Sequence, residues 1–132
     1  MIQIIFHLVG DYVFQSDWMA QNKTKSSAIA MLHAISYSLL FCFLVNWIGL
    51  LQIIFTHYLI DRFRLARYVV FTKNFLAPRS KWVNWDESSQ YGYSKKVPDY
   101  IAFWLLIITD NTLHLACNYF AIYYFGGNLA GN

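Results

Sequence analysis

Long apolar runs alternate with short polar breaks along this chain, and the runs set the first expectation. The first extends over about residues 2–20, interrupted by His7, Asp11, Gln15 and Asp17. A second covers about 27–45, with Ser26 or Ser27 placed to cap its start. A third follows a turn near Asn46, is apolar from Trp47 to Phe63, and extends to about residue 66. The fourth covers about 99–125 and stops at Gly126-Gly127, a helix-ending pair. Pro98 stands just before it, where proline starts a helix without loss of a hydrogen bond. A bilayer span takes ~20 residues at 1.5 Å rise, and each run is close to that. The pattern predicts an all-α, polytopic membrane protein: one domain over 1–132, four transmembrane helices, and a loop over about 67–98. The first run lacks a basic lead and a small-residue cleavage site, so it reads as a retained helix rather than a signal peptide.

Composition agrees with that picture. Of the 132 residues, 58% are hydrophobic and 13% charged, against roughly a quarter charged in soluble domains. A soluble enzyme, a nucleic-acid module and a secreted disulfide scaffold all fit poorly. Cys42 and Cys117 lie inside apolar runs without CxxC spacing and read as packing residues. Lys23 and Lys25 separate the first two runs; Arg62, Arg64, Arg67, Lys73, Arg79, Lys81, Lys95 and Lys96 separate the last two. With four spans both basic segments face one side, which the positive-inside rule makes cytoplasmic, leaving both termini outside. Three spans would split the charge. The net charge of +3 is then topology signal with some attraction to anionic headgroups. Membrane lipid is the expected partner and nucleic acid is not, while homo-oligomerisation or a membrane-protein partner stays open. The Asn22-Lys23-Thr24 sequon would face the cytoplasm.

The candidate chemistry lies in polar residues within the apolar runs. Three pairs share i, i+4 spacing: His7 with Asp11, His57 with Asp61, and Asp110 with His114. That spacing puts both side chains on one helix face. A carboxylate inside a bilayer costs about 2.5–3.5 kcal/mol even on the insertion scale, so such residues are expected to share one interior site. Imidazole and carboxylate suit a divalent metal, zinc first, with manganese or iron as alternatives. The expected ligands are His7, Asp11, His57, Asp61, Asp110 and His114. Gln15 and Asn111 would orient ligands or substrate, and His33 would be a ligand or general base. The competing readings are structural hydrogen bonds between helices and a proton or ion relay. By position along the helices the cluster lies in the cytoplasmic half of the membrane, opening toward the basic loop. Trp82, Trp85, Tyr91 and Tyr93 interleave there with Arg79, Lys81, Lys95 and Lys96, a pattern of interfacial anchors. The sharper alternative is a lid, with Asp86 or Glu87 as extra ligands.

His7-x3-Asp11-x3-Gln15 with Met19 and Lys23, then His33, then His57-x2-Ile60-Asp61, resembles a family of small bacterial and phage membrane proteins catalogued as domain of unknown function 3307. Tyr91-Gly92-Tyr93, Pro98, Trp104-Leu105-Leu106-Ile107 and Asp110-Asn111-x2-His114 resemble its phage-type C-terminal half. The resemblance covers nearly the whole chain. In motif style the set is similar to membrane-bound metal-dependent hydrolases. That similarity implies a metal-dependent hydrolase acting on a lipid-linked or phosphate-bearing substrate. The family often has a lysine after the third run's His-x3-Asp, where this chain has Arg62 and Arg64. That departure argues against one fixed basic residue for a substrate anion. Two other expectations stand beside the hydrolase: a proton or divalent-ion channel or transporter, and an interaction protein whose polar cluster locks helix packing.

Overall fold

The computed structural model describes residues 1–127. Among them the regular elements are all helices, with one isolated bridge between Val45 and Gly126. The chain divides into two compact units, Met1–Phe63 with the segment from His114 onward, and Arg64–Leu113.

In the first unit, α1 (Ile2–Tyr12) and α2 (Asp17–Asn22) replace the single helix expected over 2–20. The break has a local cause. The amides of Val13 and Phe14 both reach back to the Val9 carbonyl, at 3.0 and 2.9 Å. Ser16 Oγ then accepts from the Met19 amide at 3.3 Å and caps a new helix. Asp17 in its first turn complements the helix dipole. α3 (Ser27–Ser38) is capped by Ser26, whose Oγ accepts from the Ile29 amide at 3.5 Å, and continues as a 3₁₀ stretch over Leu39–Phe43. Its buried residues Ala30, His33, Ala34, Tyr37, Ser38 and Phe41 recur at steps of three and four, the signature of one helix face turned inward. Asn46 Oδ1 accepts from the Ile48 and Gly49 amides, at 3.0 and 3.1 Å, and starts α4 (Trp47–Phe63). There Gly49, Ile53, His57, Ile60 and Asp61 form the buried stripe. Tyr37, Phe41, Leu44, Val45, Ile53 and Ala121 make the apolar core.

The second unit overturns the expected loop. Arg64 takes a left-handed conformation (φ +52°), so the third apolar run stops at Phe63 rather than residue 66, and α5 (Leu65–Lys73) follows. Short 3₁₀ turns at Asn74–Leu76 and Arg79–Lys81 lead to α6 (Trp85–Ser88) and α7 (Asp99–Phe125), which runs on into the first unit. Trp85 stacks on Tyr68 (ring centres 4.9 Å apart) and meets Phe71 edge-on at 5.1 Å, with the Arg67 guanidinium 5.4 Å from its ring. Gly92, at φ +80°, lies so close to Val70 and the Arg67 carbonyl that no side chain fits. Val70 and Ala66 are buried beneath this aromatic layer.

The four expected spans also need correction. α7, with 27 residues and a length of ~40 Å, is the one helix among the described residues long and apolar enough to cross a membrane. α1 has 11 residues, ~16 Å, and α4 has 17, ~25 Å, against a hydrocarbon core of ~30 Å.

Candidate metal centre

Four helices of the first unit each turn a polar residue inward at one level. α1 contributes His7 and Asp11, α3 contributes His33, α4 contributes His57 and Asp61, and α7 contributes His114. All six are buried, from 0% exposed for His7 and His33 to 7% for Asp11. Helical spacing explains the pairing on α1 and α4, where i and i+4 share a face. Gly10 lets α1 approach Tyr37, because a Cβ there would strike the tyrosine ring.

The two carboxylates organise the cluster. Asp61 Oδ2 lies 3.1 Å from His57 Nε2, 3.3 Å from His33 Nε2 and 3.0 Å from Lys23 Nζ, and Asp61 Oδ1 lies 3.6 Å from His114 Nε2. Asp11 Oδ1 lies 3.3 Å from His33 Nε2 and 3.4 Å from His57 Nε2, while Asp11 Oδ2 lies 3.4 Å from His7 Nδ1. His33 Nε2 and His57 Nε2 are 3.0 Å apart. Asp61 has the Lys23 ammonium to balance its charge. Asp11 Oδ1 is buried with no hydrogen bond of good geometry. A buried carboxylate oxygen left in that state is destabilising unless a cation or proton comes to it.

The donor set fits a divalent cation. Among His33 Nε2, His57 Nε2, Asp11 Oδ1 and Asp61 Oδ2, the five distances that involve a histidine run from 3.0 to 3.4 Å. Four ligands at ~2.0 Å around a tetrahedral ion have edges of about 3.3 Å. Within the first unit, overlapping triads with donor atoms within 4.8 Å of one another include His33, His57 and Asp61, and Asp11, His57 and His114. Beyond the donors, Tyr37 stacks on His57 with ring centres 3.8 Å apart, its hydroxyl 2.9 Å from His7 Nδ1. Asn118 Nδ2 donates to that hydroxyl at 2.5 Å.

Of the ligands expected from the sequence, His7, Asp11, His57, Asp61 and His114 meet here. His33 joins them with its Nε2 among the donors. Asp110 and Asn111 belong to the second unit, half-buried on α7, with Asp110 one turn before His114. Gln15 Nε2 donates to the main-chain carbonyl of Asp11 at 2.9 Å, so it closes the end of α1 instead of orienting a ligand side chain. Asp86 and Glu87 occupy the first turn of α6 in the second unit. Two participants were hidden in the sequence. Lys23 looked like topology charge, yet its ammonium reaches Asp61. Tyr37 follows His33 by four residues, a spacing that would have placed it on the same face.

The comparisons with known proteins bear on the whole chain. Residues 1–125 match one family, described as a protein of unknown function (DUF3307). The chain belongs to that family. No curated protein and no solved structure matches it. The His/Asp geometry therefore carries the functional argument.

Proposed function

We propose that this DUF3307 protein is a multi-pass protein of the bacterial inner membrane. In this reading its polar core binds a divalent cation, zinc first, and hydrolyses a lipid-linked or phosphate-bearing substrate. The carrying observation is the set of four buried donor atoms from three helices, with five of the six distances among them at 3.0–3.4 Å. His33, His57, Asp11 and Asp61 hold the ion, with His7 and His114 beside them. A divalent ion in such a site lowers the pKa of bound water to ~7 and polarises a phosphoryl oxygen.

Membrane embedding is supported by the apolar surface of the first unit. Four histidines and two aspartates are buried beside the apolar core, while Ile5, Leu8, Leu39, Leu51, Phe55 and Tyr123 are exposed. Soluble monomers rarely expose so much contiguous apolar surface. Ser27–Phe43 and α4, at 17 residues each, fall at the short end of spanning helices, and α7 well above it. Every Lys and Arg lies between Lys23 and Lys96, which supports termini on the outer side.

The test is metal analysis of the detergent-purified full chain after loading with zinc and dialysis. At least one equivalent is expected, lost on replacing His33 and His57 together with alanine. Zinc-dependent release of phosphate from phosphatidic acid in micelles is the expected activity. A wild-type chain that retains no metal would sink the reading. One observation favours a second reading, a proton relay. Lys23, Asp61, His57, His33, Asp11, His7, Tyr37 and Asn118 form a chain of polar contacts of 3.4 Å or less. Proton flux in metal-free proteoliposomes would identify it.

A further inference from the structure

The two buried carboxylates divide the four histidines in the same way. Each aspartate turns one oxygen to the His33/His57 pair and the other to a different histidine. For Asp11 the first oxygen is Oδ1, 3.3 and 3.4 Å from the pair, and the second is Oδ2, 3.4 Å from His7 Nδ1. For Asp61 the first is Oδ2, 3.3 and 3.1 Å from the pair, and the second is Oδ1, 3.6 Å from His114 Nε2. A carboxylate that turns each of its two oxygens to a different histidine is placed to bridge two ions.

Ring spacing gives an independent measure. Two imidazoles bound to one tetrahedral cation through nitrogen at 2.0–2.1 Å have ring centres about 5 Å apart. The His33 and His57 centres are 4.9 Å apart, and those of His7 and His114 are 5.7 Å apart, tilted by 34°. The first spacing matches that value and the second is about 0.7 Å wider, while His57 and His114 are closer still at 4.1 Å. His114 also shares a triad with Asp11 and with His57 of the first pair, so the two pairs adjoin through that carboxylate.

We infer that the cluster is a binuclear metal centre. One divalent cation sits between His33 and His57, a second between His7 and His114, and Asp11 and Asp61 bridge them. The inference rests on the metal-centre reading above and adds the second ion to it. Bridged pairs of this kind hold their ions ~3.5–4 Å apart and clamp the attacking and leaving oxygens of a displacement. Charge then names the substrate class. Two divalent cations and the Lys23 ammonium outweigh two carboxylates, so the loaded centre is positive and takes an anion, a phosphate group above all.

The two subsites are not equal. His7 Nδ1 already contacts the Tyr37 hydroxyl at 2.9 Å, and that hydroxyl also accepts from Asn118 Nδ2. Filling the second subsite breaks the hydrogen bond between His7 and Tyr37, so the second ion binds more weakly. Removing the hydroxyl with Tyr37→Phe is expected to tighten the second ion about tenfold, the worth of one hydrogen bond.

The experiment is titration of the metal-stripped, detergent-purified full chain with manganese(II), followed by equilibrium counting and electron paramagnetic resonance. Two equivalents are expected, with the six-line spectrum of an isolated ion at the first giving way to an exchange-coupled spectrum at the second. The H7A/H114A double variant should bind one equivalent and never show coupling. A wild-type chain that binds one equivalent, or two without coupling, overturns the binuclear inference and leaves the single-metal reading standing. A chain that binds none overturns both. The wild-type spectrum needs no variant, so misfolding of H7A/H114A cannot decide the outcome. Second-ion affinity unchanged or weakened in Tyr37→Phe would overturn His7 as its ligand.

Discussion

The two units of this chain differ in the polar groups they bury. The first encloses four histidines, two aspartates and Asn118, and exposes leucine, isoleucine, phenylalanine and tyrosine. The second encloses Ala66 and Val70 beneath an aromatic layer of Tyr68, Phe71 and Trp85, and exposes Arg79, Lys81, Asp86 and Glu87. Both units also expose large apolar residues, Leu76 and Trp104 in the second among them, and the first has an apolar core beside its polar cluster. The difference is that, among the described residues, only the first buries ionisable groups. Such a cluster is stable only when its members satisfy one another, so each unit should respond differently to the same kind of substitution.

The largest contrast is expected from charge removal. Asp61→Asn would leave Lys23 facing a neutral amide inside the first unit, where its own side chain is 17% exposed. Breaking a buried pair costs about 3–5 kcal/mol, and partial exposure of the lysine puts this case near the lower end. Adding Lys23→Met should recover part of that loss. Asp86→Asn, on the exposed first turn of α6, should change stability by less than ~0.5 kcal/mol. Denaturation of the detergent-solubilised chain measures all three. Equal losses at Asp61 and Asp86 would erase the distinction between the units.

Charge addition gives the next effect. Phe55 on α4 and Thr72 on α5 are both exposed. With lipid against the first unit, Phe55→Asp should cost about 2.5–3.5 kcal/mol of insertion and lower the membrane-integrated fraction. Thr72→Asp should leave that fraction unchanged. An unchanged fraction for Phe55→Asp would mean that water, and not lipid, covers this face.

The smallest pair separates the units by readout. Gly10→Ala drives a methyl into the Tyr37 ring, and Gly92→Ala adds one against Val70 and the Arg67 carbonyl at a positive φ. Each should cost about 1–3 kcal/mol through overpacking or strain. Only Gly10→Ala should also lower metal retention, because Tyr37 stacks on His57 and contacts His7. Loss of metal in Gly92→Ala instead would tie the site to the second unit's packing.

The sequence by itself determined which residues turn inward. Spacing of four on a helix is a local property, so His7 with Asp11 and His57 with Asp61 were bound to share faces wherever those helices went. Their cost in an apolar setting meant that they had to gather. The Ser26 cap and the Asn46 turn were legible for the same reason, since a capping side chain acts within three residues. Only the tertiary structure decided the rest. Hydropathy carried the first run through Ser16, but a side-chain cap there outweighs apolar continuity and splits the helix. Apolar continuity also missed the turn at Arg64, because a single left-handed residue leaves no periodic trace. Trp85 and Lys23 looked like surface residues, and packing across more than ten residues of chain placed one on Tyr68 and the other on Asp61. The partition of each aspartate's two oxygens could come from no pattern at all. It depends on how four helices meet, at distances of a few tenths of an ångström, and those distances exist only once the chain has folded.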